Sequence, residues 1–124
     1  SAEDYLETIL MLTQRMGKVR SIDVVNELGF TKASVSIAMK KLRENGYIAV
    51  DGEGNLTLLE PGLEIAQRIY SRHRLLTHFF VQLGVDEQTA AEDACKAEHI
   101  LSEQTLEKIR ESALRNDAAH PQAK

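Results

Sequence analysis

Cys95-Lys96-Ala97-Glu98-His99 sets a thiol, a carboxylate and an imidazole at positions i, i+3 and i+4. On a helix, those offsets hold the three side chains within roughly a 100° arc, with neighbouring Cβ atoms about 5–6 Å apart. This is a metal-ligand spacing. Three donors fall short of the four or more that a transition-metal site takes, so further ligands must come from elsewhere in the chain. Asp4, Glu7 and His73 are the candidates. Each also has a structural reading. Cys95 to His99 can be a half-buried helix face with a small apolar thiol. Glu3, Asp4 and Glu7 can serve the dipole at a helix N-terminus. An inward His73 can be a hydrogen-bonded core imidazole unless carboxylates converge on it.

The elements that would position these groups follow from apolar periodicity and caps. A first helix is expected from Glu3 to about Arg15, with Tyr5, Leu6, Ile9, Leu10 and Leu12 on one face and Asp4, Glu7 and Met11 along its edge. Ser21 reads as the N-cap of a second helix whose inner face is Ile22, Val24, Val25 and Leu28, ending at Gly29. Thr31 caps a third, running to about Asn45, with Val35, Ala38, Met39 and Leu42 inward. Two short helices around a Gly-containing turn predict a helix-turn-helix. Lys32, Ala33, Ser36, Ile37 and Lys40 form the outward face of its second helix, with Ser34 near the start. Small, hydroxyl and basic groups at a helix N-terminal end are what a DNA major groove admits, so Thr31, Lys32, Ala33, Ser34, Ser36 and Lys40 are the candidate DNA contacts. A solvated helix carrying lysines is the plainer alternative.

Tyr47–Val50 and Leu56–Leu59 are β-prone runs joined by Asp51-Gly52-Glu53-Gly54-Asn55, which predicts a hairpin and makes the motif a winged helix-turn-helix. Asp51 and Glu53 at the wing tip would repel phosphates, so the third helix should bind DNA more strongly than the wing. Pro61 suits the first turn of a long helix continuing to about Leu83, with His73 in its apolar stripe and His78 on its polar side. Asp86 caps the helix leading into Cys95–His99, lined by Ala90, Ala91, Ala94 and Ala97; Ser102 starts a last helix. The expected class is mainly α: a winged helix-turn-helix with a small β-hairpin wing (residues 1–60), a helical metal-binding and dimerisation domain (61–116), and a flexible tail (117–124).

Composition fits that reading. With 43% hydrophobic and 27% charged residues among 124, the chain is ordinary for a globular protein. It has neither an apolar run of membrane-span length nor a signal-peptide pattern, and a single Cys suits a reducing cytoplasm. The net charge of −4 is unevenly spread. Residues 15–48 hold seven bases against three acids, whereas residues 86–117 hold four bases against nine acids, so the two halves are suited to different partners. The last two helices cannot both bury their apolar faces in one chain, which predicts a homodimer, and a symmetric dimer would read a palindrome.

Over residues 3 to about 115 the chain resembles the iron- and manganese-dependent repressors typified by the diphtheria toxin repressor and the manganese transport regulator. The likeness rests on Glu3-Asp4-Tyr5-Leu6-Glu7, Ala33-Ser34-Val35-Ser36, Arg72-His73-Arg74-Leu75-Leu76 and Cys95-Lys96-Ala97-Glu98-His99. It implies a cytoplasmic, metal-loaded homodimer that represses transcription on a double-stranded DNA operator, in the short form lacking an SH3-like domain. The chain starts without an initiator Met, which suggests processing or a trimmed start.

The resemblance also implies one metal site of Asp4, Cys95, Glu98 and His99, and a neighbouring one of Glu7, His73 and Glu98. Asp4 matches the manganese-type members, whereas Cys95 matches the iron-type members. Thr77 stands where the family offers another Glu, which leaves Glu92 or water to complete the second site. With one soft and several hard donors, the expected ion is Fe²⁺, closely followed by Mn²⁺, with Co²⁺, Ni²⁺ or Zn²⁺ as in vitro substitutes. Metal binding would tie Asp4 and Glu7, on the helix leading into the DNA-binding domain, to ligands of the dimerisation domain. Two other classes stand beside this one: a metal-independent winged-helix regulator with a structural polar cluster, and a small metalloenzyme. The second is disfavoured because no nucleophile, oxyanion donor or acid/base pair accompanies the ligands.

Overall fold

The computed structural model describes residues 1–120, and its chain contacts divide it between Arg68 and Ile69 into two compact units. It is mainly α-helical with one small antiparallel sheet, as the periodicity predicts.

The first unit begins with α1 (Ala2–Met16), which buries Leu6, Ile9, Leu10 and Leu12. Short strand β1 (Val19–Arg20) leads into α2 (Ser21–Leu28) and α3 (Lys32–Glu44). Ser21 is the first residue of α2 and not its N-cap; the cap is Arg20, whose backbone N–H donates to Asp23 Oδ2 at 2.9 Å. Only Val24 of the expected inner face of α2 is fully buried, and Ile22 is 43% exposed. Thr31 caps α3 as expected, its Oγ1 accepting from the Ser34 N–H at 3.1 Å, and Val35, Met39 and Leu42 face inward. Burial of a Val, Leu or Met side chain contributes about 1.5–3 kcal/mol, so these three fix the rotation of α3 about its axis.

The wing is β2 (Ile48–Val50) and β3 (Asn55–Leu58), paired antiparallel with Ile48 opposite Leu58 and Val50 opposite Leu56. The sheet order is β1-β3-β2, because β1 adds to β3 with Val19 opposite Leu56. A two-residue strand has too little alternation to be read from sequence; buried Val19 is what the sheet gains from it. Asp51 does not simply project its charge from the wing. Its Oδ1 accepts from the Asn55 and Glu53 N–H groups, both at 2.9 Å, and the Asn55 bonds above all hold its carboxyl below the usual Asp value. Gly54 closes this turn at φ +86°, a conformation that disfavours a side chain.

The division falls inside α4 (Glu60–Gln82). The second unit adds α5 (Glu87–Ala97) and α6 (Glu103–Ala119). Asp86 and Ser102 cap them by accepting from the Thr89 and Thr105 N–H groups, each at 3.1 Å. Leu76, Ala94 and Leu106 form the core of this unit, packed by Leu75, Phe80, Ala97, Leu101 and Ile109. The tail expected from residue 117 is helical as far as Ala119, because Asp117 is held to α4: its Oδ1 accepts from Gln82 Nε2 at 3.0 Å and lies 2.9 Å from His78 Nε2. Residues 121–124 of that expected tail lie outside the described residues.

Candidate metal centre and nucleic-acid interface

In the second unit the structure brings together Glu98, His73 and His99. α5 ends at Ala97, so the five-residue motif does not lie wholly inside a helix as its spacing suggested. Glu98 is the C-cap but keeps helical angles, its N–H donating to Ala94 O at 2.9 Å; the geometry that i, i+3 spacing requires therefore extends one residue beyond the helix. The Glu98 side chain is 0% exposed. Its Oε1 lies 3.1 Å from His73 Nδ1, and its Oε2 lies 3.6 Å from His99 Nε2. Oε2 is buried and has no hydrogen-bond partner among the described residues.

A buried carboxylate is costly unless it is paired and fully hydrogen-bonded. Here one oxygen has an imidazole within hydrogen-bond distance, while the other faces an imidazole beyond it. A hard oxygen with two borderline nitrogens is a donor set suited to a divalent first-row cation, so the residues present fit the metal expected for this motif.

The turn bearing Glu98 is anchored from α4 by Arg72, to which the sequence pattern assigns no role. Arg72 Nη1 donates to the Glu98 carbonyl oxygen at 3.2 Å, and its Nη2 pairs with Glu103 at the start of α6. The carbonyl at a helix C-terminus lacks an intrahelical partner, and Arg72 satisfies it while setting the turn beside His73. Nothing local marks such a pairing in the sequence, because the three residues meet only through tertiary packing.

The other candidates are placed as follows. Cys95 is exposed on α5, and Glu92, on the same helix, is exposed and accepts from Gln88 Nε2 at 3.2 Å. Thr77 Oγ1 on α4 is buried without a hydrogen-bond partner among the described residues. In the first unit, Asp4 and Glu7 lie on α1, Glu7 buried and Asp4 partly so. Asp4 is also the third residue of a capping box with Ser1, whose Oγ lies 3.1 Å from Asp4 Oδ2, so the capping reading of its charge holds alongside any other. Glu3 pairs with Arg68 at 3.4 Å.

Thr31, Lys32, Ala33, Ser34, Ser36 and Lys40 are all exposed: Ala33, Ser34, Ser36 and Lys40 leave α3 away from Val35, Met39 and Leu42, while Thr31 is the cap and Lys32 the first helical residue. The N-terminal end of α3 carries the Thr31, Ser34 and Ser36 hydroxyls and Lys32, on a helix whose unpaired N–H groups favour phosphate.

Two family profiles match nearly the whole chain: residues 1–56 match the iron dependent repressor N-terminal DNA binding domain, and residues 59–121 the iron dependent repressor metal binding and dimerisation domain. An uncharacterised HTH-type transcriptional regulator of Methanocaldococcus jannaschii is 37% identical over 112 residues, which are 89% of this chain and 90% of that protein. The HTH-type transcriptional regulator MntR of Bacillus subtilis is 34% identical over 109 residues, 88% of this chain and 77% of that one. Among solved structures, a manganese-dependent transcriptional repressor in complex with manganese superposes with a TM-score of 0.83 at 28% identity, covering 91% of this chain and 52% of that one. The manganese regulator SloR gives 0.78 at 26% identity over 90% of this chain and 52% of its own. The chain thus spans about half the length of these structural neighbours.

Proposed function

The chain belongs to the iron dependent repressor family, and from that premise we propose that it is a metal-dependent DNA-binding transcriptional repressor of metal homeostasis, acting in the cytoplasm as a homodimer on a palindromic operator. Its relatives are transcriptional regulators and not enzymes. The observation that carries the metal half of this reading is the buried Glu98 carboxylate between His73 and His99. Asp4, Cys95, Glu98 and His99 make one ligand set, and Glu7, His73 and Glu98 a second, with Glu92 or water completing the second because Thr77 stands where the family offers another Glu. Fe²⁺ leads on the strength of the Cys95 thiol, with Mn²⁺ close behind; Co²⁺, Ni²⁺ and Zn²⁺ are in vitro substitutes.

A bound divalent ion supplies positive charge and directional bonds that fix its ligands. Asp4 and Glu7 lie on α1, and α1 packs against α2, α3 and the sheet. Restraint applied at Asp4 and Glu7 therefore reaches the support on which α3 is mounted. DNA affinity rises to the extent that the restrained arrangement is the binding one. A coupling of about 1–3 kcal/mol, or about 5–150-fold in affinity, is the usual size of such linkage.

On α3, Lys32 and Lys40 supply phosphate contacts, while Thr31, Ala33, Ser34 and Ser36 lie close to base edges and the adjoining backbone. Among the described residues no helix is long and apolar enough to cross a membrane. The deciding experiment is metal analysis of protein purified without a metal-affinity step, followed by DNA binding with and without the metal found. Metal-independent binding of equal strength would favour the regulator with a structural polar cluster.

A further inference from the structure

Ile37 stands where the proposed interface should reach deepest. At 100° per residue, its side chain leaves α3 about 165° from the mean direction of buried Val35, Met39 and Leu42. It is 59% exposed on that outer midline. Ala33, one turn earlier, is exposed on the same line, so the two make a short apolar ridge. Ser34 and Ser36 flank the ridge, Lys40 and Lys41 border it one turn on, and Lys32 precedes it at the helix start, all exposed. Ile37 does not contribute to the buried core of its unit, and a β-branched residue adds nothing to helix propensity.

Single exposed apolar residues are common on protein surfaces, and exposure alone would carry nothing. The distinguishing feature is position: this apolar side chain occupies the centre of a cationic, hydroxyl-lined helix face. The lysines favour a polyanion and the hydroxyls favour its polar edges. Ile37 can bond to neither. The one apolar group that base edges display in the major groove is the C5-methyl of thymine. Opposite the amino group of cytosine, Ile37 would instead bury a donor without a partner.

We propose that Ile37 is a specificity-determining residue that packs against a thymine C5-methyl in each half-site of the operator. The inference rests on the DNA-binding reading above and adds to it the identity of one base.

The test uses the full chain loaded with Mn²⁺ and a duplex enriched by it from random-sequence DNA. Each thymine of a half-site is replaced in turn by uracil, which removes the methyl and leaves base pairing intact. At one position the wild-type protein should lose about fourfold in affinity per half-site, the equivalent of about 0.8 kcal/mol for one buried methyl. Ile37→Ala should bind more weakly, lose that uracil penalty at the same position, and keep the wild-type salt slope, since no phosphate contact is removed. Its unfolding midpoint should match wild type, because Ile37 is exposed. A uracil penalty equal in Ile37→Ala and wild type, or no thymine at which wild type responds, overturns the inference while leaving metal-dependent DNA binding intact. A wild-type protein that enriches no duplex overturns the repressor reading, and this inference with it.

Discussion

Replacing Glu98 by Gln should stabilise the metal-free protein and destabilise the metal-loaded one relative to wild type. The side chain is fully buried, with Oε1 3.1 Å from His73 Nδ1 and Oε2 without a hydrogen-bond partner 3.6 Å from His99 Nε2. An unpartnered buried acceptor costs about 1–3 kcal/mol, more when charged. Gln keeps the acceptor facing His73, removes the desolvated charge, and sets a donor beside the His99 ring nitrogen. A gain of about 1 kcal/mol in chelator is expected, which for a chain of this size raises the unfolding midpoint by about 3–5 °C. With Mn²⁺ at 100 times its dissociation constant, the wild type gains about 2.7 kcal/mol by linkage. Gln lacks the carboxylate and gains little, so the order reverses, with wild type about 5–8 °C higher. Thermal unfolding followed by circular dichroism, in EDTA and in Mn²⁺, reads both arms. A variant less stable than wild type in EDTA, with an undiminished Mn²⁺ shift, would show that Glu98 is only a structural partner of the histidines.

Substitutions at three further positions separate other parts of the structure. Arg72→Met keeps the apolar stem but leaves the Glu98 carbonyl and Glu103 without the guanidinium; isothermal titration with Mn²⁺ should show affinity about 10–100-fold weaker, and unchanged affinity would remove Arg72 from the support of the site. Gly62→Ala puts a Cβ 2.2 Å from the Tyr47 carbonyl oxygen, which already accepts from the Leu59 N–H, so urea unfolding should show a loss of about 2–3 kcal/mol; a variant as stable as wild type would mean that this approach relaxes freely. Cys95→Glu should move activation of DNA binding from Fe²⁺ or Co²⁺ toward Mn²⁺, whereas Cys95→Ala should weaken activation without unfolding a helix already rich in Ala; coincident titrations of both variants and wild type would show that the thiol is no ligand.

Much of the architecture is written locally. Thr31, Asp86 and Ser102 each precede an apolar repeat and each caps a helix, because a cap needs only the N–H three residues on. The outward face of α3 could be read for the same reason: burial of Val35, Met39 and Leu42 determines where Ala33, Ser36, Ile37 and Lys40 point. The resemblance in the 3–7, 33–36, 72–76 and 95–99 motifs led to the family that the profiles identify.

Other features depended on partners distant in sequence. Strand β1 exists because Val19 meets Leu56, and Asp117 stays helical because it meets His78 and Gln82. The motif at 95–99 was visible as a spacing, but not that α5 stops at Ala97, that Cys95 is exposed while Glu98 is buried, or that Arg72 holds the turn by its carbonyl. Spacing places donors on one arc; which of them loses its water is decided by packing, and desolvation is what makes it costly to leave a carboxylate such as Glu98 without a partner.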